Sequence, residues 1–263
     1  MRNGWQKKSL AHIVHNENGF LITDGDWIES KDQNPLGEVR LIQLADIGDG
    51  DFQNKSARFL TRSRAEELRC TFLKAGDMLM ARMPDPIGRC AIFPGVGQPA
   101  VTAVDVCIIR SNGNLDVNWL KYAINSNPTR KRIMALATGG TRQRISTTEI
   151  RRLEFDVPPL DEQHKIAEVL TNWETAIEKL ESLRAKKEQR LVGLRAALLF
   201  GELRLNGQRR NWAPTRLGSV THELTKRNGA KGLGRDFVMG VTKAHGVVPM
   251  REQTVAGDIS RYK

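Results

Sequence analysis

Residues 158–201, PPLDEQHKIAEVLTNWETAIEKLESLRAKKEQRLVGLRAALLFG, constrain this chain more than any other stretch. Two prolines close off what precedes, because Pro disfavours helical geometry in the residue before it. Asp161 is placed to act as an N-cap, and Glu162 falls in the first turn, where a carboxylate suits the positive helix end. Ile166, Leu170, Trp173, Ile177, Leu180, Arg184, Lys187, Leu191, Leu194 and Leu198 then follow at alternating steps of four and three. That is a heptad register, and Gly201 stands where a C-terminal cap belongs. Such a helix extends roughly 55–60 Å, about twice the width of a small domain. Val169, Ala176 and Leu183 widen the stripe beyond a two-stranded seam, which predicts more than one neighbouring helix. A long core helix inside one domain is the plainer alternative, but this length outruns one compact core. The spacing predicts a spacer and docking rod. Its packing residues are Ile166, Leu170, Trp173, Ile177, Leu180, Leu191, Leu194 and Leu198. Arg184 and Lys187 can lay their stems along the seam and keep their charges in water; an acidic groove on a partner is the other use for them.

A chain of 263 residues has room for one or two domains with their own cores. Its net charge of +11 and pI near 9.9 point to a polyanion, either nucleic acid or an anionic membrane surface. No apolar run approaches the roughly 20 residues of a membrane span, and the N-terminus lacks a signal-peptide core, so a cytoplasmic protein without membrane contact is expected. Cys70, Cys90 and Cys107 are odd in number and lack metal-site spacing, which suits reduced thiols. Nucleic acid is the favoured partner.

In chain order, WQKKSLAHIV at 5–14 reads as a short helix or a strand-helix lead-in with a polar face, and 19–37 as turns around short strands. EVRLIQLADIG at 38–48 reads as a strand, and 63–73 as a helix. Residues 76–83, 89–95 and 101–112 read as further strands split by Pro and Gly. Residues 116–137 form two helical pieces broken at Pro128. The loop TGGTRQRIS at 138–146 leads to a short helix at 147–152 and a strand, LEFDVPP. The expected class is α+β: a mixed domain over 1–157, the long coiled-coil-type helix and linker over 158–206, and a further piece over 207–263.

That last piece carries a faint repeat. Trp5, Leu10 and Ile13 recur as Trp212, Leu217 and Val220, at an offset of 207 residues in each case. Three apolar matches in nine residues are weak, but their place just after the rod strengthens them. The unit would then be domain plus helix, and residues 207–263, too short for a dependable core, the start of a second domain.

No residues stand out for catalysis. The chain has no GxxxxGK[ST] loop and no glycine-rich nucleotide fingerprint, and no Asn/Asp-Pro-Pro-aromatic element of base methylation. Pro84-Asp85 is not followed by the E-x-K of a nuclease. His12 and His15, with Glu17 nearby, read as surface residues rather than a metal site.

Several blocks resemble the specificity (S) subunit of type I restriction-modification enzymes. They are the N-terminal W-x4-L, GDWI at 25–28, VRLIQLADIGDGDF at 39–52, LKAGDMLMARM at 73–83, IGRCAIFP at 87–94 and ATGGTRQRIS at 137–146. The most telling is LEFDVPPLDEQHKIAEVL at 153–170, whose PPL-x-EQ-x-x-I opens the long helix. The resemblance implies a non-catalytic DNA-binding subunit of a phage-defence system. Target-recognition domain 1 would be residues 1–157, the ruler helix 158–206, and an incomplete target-recognition domain 2 residues 207–263. In that family two recognition domains each read one half of a bipartite site, held apart by antiparallel helices. The resemblance also implies partners: double-stranded DNA, a DNA methyltransferase (M) subunit and, through the complex, a restriction (R) subunit. S-adenosylmethionine, ATP and Mg are expected on those partners and no cofactor on this chain. With one rod in the sequence, a homodimer through residues 161–200 is expected.

The expected DNA-binding residues are basic or amide side chains in turns. Thr141, Arg142, Gln143 and Arg144 follow Gly139-Gly140 in a loop suited to phosphate and base-edge contacts, since Arg pairs with guanine and Gln with adenine. Arg82 and Arg89 flank the turn MPDPIG, and Lys31 and Arg40 complete the set. The run Arg130, Lys131 and Arg132 reads first as a solvated helix face. Two other classes fit the residues: the recognition portion of a fused methylase-nuclease, and a basic structural or RNA-binding protein with a helical oligomerisation rod. Aromatic content of 6%, with two Tyr, disfavours RNA stacking.

Overall fold

The structure is a computed structural model that describes residues 4–15, 21–84, 86–111, 115–140, 142–204, 213–222, 239–242 and 246–249. The chain divides into two units, Met1–Gln189 and Arg190–Lys263.

The first unit opens with β1 (Gln6–Ser9) and α1 (Leu10–Val14), followed by β2 (Leu21–Asp24), β3 (Val39–Ile42) and β4 (Phe59–Leu60). Then come α2 (Arg62–Glu67), β5 (Met78–Ala81), β6 (Cys90–Ile92), β7 (Ala100–Thr102) and β8 (Val106–Arg110). Next are α3 (Val117–Asn125), α4 (Asn127–Leu136), α5 (Thr147–Arg152), β9 (Glu154–Val157) and α6 (Leu160–Leu199), which runs on past Gln189. One sheet has the order β2-β8-β5-β6, all neighbours antiparallel. A second has the order β4-β3-β7, where β3 and β7 run parallel. β1 pairs with β9.

Alternation along the strands sorts these pieces into layers. Met78 and Met80 of β5 point into a core shared with α1, α3, α4, α5 and the start of α6, where Leu10, Leu120, Ile124 and Ile133 are fully buried. Leu79 and Ala81 point the other way, into a core with Ile42, Ala100 and Phe93 between the two sheets. Val39, Leu41 and Val101 face away from that core, onto Ala65 of α2. β5 is covered on both faces, which is why it reads as a continuous apolar run, MLMA. Each Leu or Met so buried contributes about 1.5–3 kcal/mol.

Several local expectations change. The stretch 63–73 is helical only over Arg62–Glu67, because Arg69 turns left-handed (φ 53°) and the Cys70 amide bonds back to the Ala65 carbonyl. The 38–48 strand stops at Ile42, where Asp46 caps a 3-10 turn, Leu44–Asp46. Residues 101–112 split into β7 and β8 at a turn closed by the Val106 amide on the Ala103 carbonyl. Pro128 breaks the 116–137 stretch by sitting in the first turn of α4, where its missing N–H costs nothing. Asp161 is not the N-cap of the long helix: α6 starts at Leu160, with the amides of Glu162 and Gln163 both on the Pro159 carbonyl. Its C-terminus is as expected, with Gly201 at φ 80° and the Leu203 amide reaching back to the Ala197 carbonyl.

The first four turns of α6 are clamped to the domain. Gln163 and Ala167 are buried, at 4% exposure each. The Gln163 side chain donates to the Pro158 carbonyl and accepts from the Asp116 amide, and the Trp5 indole donates to Glu162 (3.0 Å). About three turns on, Glu174 accepts from Lys121 Nζ (2.9 Å) and from the Tyr122 hydroxyl (2.6 Å). Burial alone would lower the Lys121 pKa, but the Glu174 carboxylate outweighs it and holds the ammonium above its ordinary value. Ile166 packs on the core. Beyond it the stripe lies open: Trp173 is 67% exposed, Ile177 52% and Leu180 65%, with Leu170, Leu191 and Leu194 also exposed and Leu198 half-buried. Arg184 is exposed and pairs with Glu188 four residues on.

In the second unit the described elements after α6 are α7 (Leu217–Val220) and the antiparallel pair β10 (Met239–Thr242) and β11 (Gly246–Pro249). α7 begins 207 residues after α1, at Leu217 where α1 has Leu10; Trp212 lies outside the described residues.

Candidate nucleic-acid interface

The strand directions bring three connections to one end of the sheets. β5 ends at Ala81 opposite Val106, where β8 starts, and Met80 lies opposite Cys90, where β6 starts. β3 and β7 run parallel and end together at Ile42 and Thr102. Loop 43–58, turn 82–89 and turn 103–105 therefore emerge side by side. Loop 137–146 joins them, because the Ile145 amide donates to the Arg82 carbonyl (3.1 Å). A row of loops on a rigid scaffold is where binding residues are usually carried.

Two buried arginines staple that row. Arg82 (5% exposed) donates from Nε to the Ile145 carbonyl and from a guanidinium nitrogen to the Val104 carbonyl, and pairs with Asp24 at 2.5 Å. Arg89 (8% exposed) donates to the carbonyls of Ile47 (2.7 Å), Leu44 (2.9 Å) and Pro86 (3.1 Å). The planar fork of Arg, with five fixed donors, is what allows one side chain to satisfy three diverging carbonyls. The expectation that both reach out to DNA is corrected by this placement: they face inward and hold the loops.

Arg40 is also buried. It donates to the Asn54 side chain (3.0 Å), lies 3.9 Å from Asp46 and sits over the Phe59 ring, so it too supports loop 43–58 rather than projecting from it. Its Nε has no protein partner among the described residues. Lys31 is exposed and paired with Glu29 at 2.7 Å, while the neighbouring Asp32 holds Arg64 of α2.

Loop 137–146 is closed at its base. The amide and carbonyl of Thr138 pair with those of Arg144, closing a tight loop. Gly139 stands inside it at φ 114°, and a Cβ there would meet the Arg142 carbonyl at 2.5 Å. Arg144 is half-buried, donating to the Val104 carbonyl (2.9 Å) beside Asp105. Arg142 and Gln143 are exposed, with no side-chain partner among the described residues, and Thr141 lies outside them. Among the described residues expected to touch DNA, Arg142 and Gln143 are set out on this face.

Sequence reasoning missed the organiser of loop 43–58. Asp46, fully buried, accepts from the amides of Gln43 (2.7 Å) and Ser56 (2.7 Å) and from the Ser56 hydroxyl. The signal was the Gly- and Asp-rich run LADIGDGDFQN, in which an Asp bonding nearby backbone is the standard way to shape a turn. It also missed that Arg130 is not free on its helix: it ties to Asp49 and to Asn125.

The three cysteines are buried under the sheets and helices, and burial pushes the thiols up, Cys90 and Cys107 to about 12 and Cys70 to about 11. Among the described residues no helix is long and apolar enough to cross a membrane.

The family model for the type I restriction modification DNA specificity domain matches residues 4–187. The chain is 22% identical over 205 residues to the type I restriction enzyme MjaVIII specificity subunit of Methanocaldococcus jannaschii, covering 76% of this chain and 47% of that one. It is 28% identical over 159 residues to a putative type I restriction enzyme specificity subunit of Haemophilus influenzae, covering 56% and 40%. Among solved structures, the HsdS subunit from Thermoanaerobacter tengcongensis is similar with a TM-score of 0.55 at 18% identity, over 76% of this chain and 44% of that one. A chain from a study of complex assembly and conformational transition in the type I R-M system gives 0.56 at 19%, over 75% and 45%. These structural likenesses show the fold. The chain spans 47% and 40% of the two curated relatives, about half their length or less.

Proposed function

The chain belongs to the type I restriction-modification DNA specificity family, and on that premise we propose that it is a non-catalytic recognition subunit that reads one half of a bipartite DNA site. It directs a methyltransferase subunit, and through it a restriction subunit, to that site in the cytoplasm. S-adenosylmethionine, ATP and Mg belong to those partners. Residues 1–157 form the recognition domain, 158–206 the ruler helix, and 207–263 belong to a second recognition domain.

The observation that carries this reading is the loop row: Arg142 and Gln143 stand out from a loop that is closed on itself and stapled to its neighbours by buried arginines. Rigid loops spend little ordering entropy on binding, so their contacts convert into affinity and discrimination. Arg142 offers a bidentate fork for guanine or phosphate, Gln143 an amide for adenine, and Thr141 a hydroxyl for phosphate. Lys31, outside the row, is a phosphate contact at most. Arg40, Arg82, Arg89 and Arg144 act by holding the loops.

The test is selection and sequencing of random duplex DNA bound by this chain, alone and with a methyltransferase subunit. The expected result is an enriched motif: a split palindrome when two copies pair through residues 161–200, or a single half-site when they do not. Binding with no enriched motif, fading only as salt rises, would reduce the chain to a non-specific phosphate binder and sink the proposal.

A further inference from the structure

Between loop 43–58 and turn 82–89 lies a cleft of about 320 Å³, lined among others by Ile47, Gly48, Asp49, Gln53, Lys55, Pro86 and Arg89. None of its lining comes from loop 137–146, so it is separate from the Arg142–Gln143 surface.

Both of its walls are held by contacts within the chain. Arg89 binds carbonyls on each side, at Ile47 and Pro86. Asp46 gathers the two ends of the loop, and the Gln53 amide donates to its carbonyl (2.8 Å). The Gly48 amide donates to the Asp51 carbonyl, and any Cβ at Gly48 would meet the Asp51 carboxylate at 2.1 Å. Asn54 holds an unusual φ of 45°, and Arg40 bonds its side chain. Left-handed backbone at a non-glycine residue costs free energy and persists where the surroundings enforce it, commonly at binding sites.

The chemistry in the cleft selects among ligands. Gln53 is half-buried, and its Nε2 donates to Asp51 Oδ2 (2.6 Å). That bond orients the amide and leaves its carbonyl oxygen without a partner among the described residues. Asp49 lines the cleft and Asp51 stands beside it, so a phosphate inside is disfavoured; Arg130 neutralises Asp49 in part. Ile47 and Pro86 add an apolar side. Lys55, exposed and without an ion-pair partner among the described residues, supplies a cation for a phosphate just outside.

We propose that this cleft receives a base edge of duplex DNA, with Gln53 as a specificity-determining residue and Lys55 as a phosphate contact. The base is one that presents an exocyclic amino group in the major groove, adenine or cytosine, to the free Gln53 carbonyl oxygen. The proposal rests on the DNA-recognition reading and deepens it, by adding a second reading position to that of Arg142 and Gln143.

The experiment compares DNA selected from a random duplex pool by the full-length wild type, Gln53→Ala, Gln53→Met and Lys55→Ala. In wild type, replacing the adenine or cytosine at one motif position should weaken binding about tenfold. In Gln53→Ala that replacement should cost less than about twofold, while the rest of the motif is kept. Gln53→Met preserves side-chain volume without the amide and should lose the same position. Lys55→Ala should weaken all sequences alike and lower the salt slope by about one. An unchanged motif in both Gln53 variants overturns the inference, and so does loss of the whole motif in both, which would make Gln53 a loop support. Failure of wild type itself to enrich a motif is a different result, and rejects the DNA-recognition reading instead.

Discussion

At the scale of single residues, this protein separates arginines that hold from arginines that reach. Arg89 is buried against three carbonyls, whereas Arg142 is exposed beside Gly139 and Gly140. Arg89→Ala should leave three carbonyls short of a donor and cost about 3 kcal/mol or more, read as a lower denaturant midpoint. Arg89→Lys should rescue little, because an ammonium is a point charge rather than a fork. Arg142→Ala should stay within about 0.5 kcal/mol of wild-type stability yet weaken binding to duplex DNA. An Arg142→Ala protein that binds as tightly as wild type would remove Arg142 from the interface. The thiols give a second prediction. Burial holds Cys70 near 11 and Cys90 and Cys107 near 12, from an ordinary value of 9.0. A folded pKa above the unfolded one means that stability is fully present below pH 9 and is lost as pH rises through the folded values. Native protein at pH 8 should react slowly with a thiol reagent, and all three cysteines should react at once in denaturant.

At the scale of elements, α6 works in two parts because its partners change along its length. Over its first four turns it is a domain element, pinned by Gln163, Ala167 and the Lys121–Glu174–Tyr122 contact. Past Glu174 the apolar residues Ile177, Leu180, Leu191 and Leu194 are exposed. Glu174→Ala should cost about 1–3 kcal/mol, since Lys121, only 7% exposed, loses its counter-charge. Glu174→Gln keeps the hydrogen bonds and should cost less. Equal stability of wild type and Glu174→Ala, measured by urea unfolding, would show that the Lys121–Glu174–Tyr122 contact adds nothing to the clamp. The same contrast explains why heptad spacing reads one stripe while the structure uses it for two purposes: periodicity reports the face, not what lies against it.

At the scale of the whole molecule, the open stripe of Trp173, Ile177, Leu180, Leu191 and Leu194 is what sets the expected assembly. A second copy through residues 161–200 covers it in the reading proposed above. Sedimentation at micromolar concentration should then give a dimer, and Leu180→Asp with Ile177→Asp should give a monomer that still selects a half-site. A wild-type monomer at that concentration would count against self-pairing and leave another helix as the cover. Net charge of +11 predicts a steep fall of DNA affinity with salt, shared by all sequences and separate from discrimination.

The sequence by itself determined the long helix with its apolar stripe, the short strands, the helix break at Pro128 and the basic balance. Each follows from local geometry or composition: heptad spacing, alternation, the missing proline N–H, counted charge. It also singles out Arg142 and Gln143 as candidates, because a Gly-Gly loop with amide and guanidinium groups is a local pattern. Only the tertiary structure decided which arginines face inward. Arg82 and Arg89 flank a turn and look identical to surface recognition residues in one dimension. Their burial depends on carbonyls at Ile47, Leu44, Val104 and Ile145, as far as 63 residues away. The cleft at Gln53 was hidden for the same reason: it exists only where two connections, distant along the chain, are held side by side.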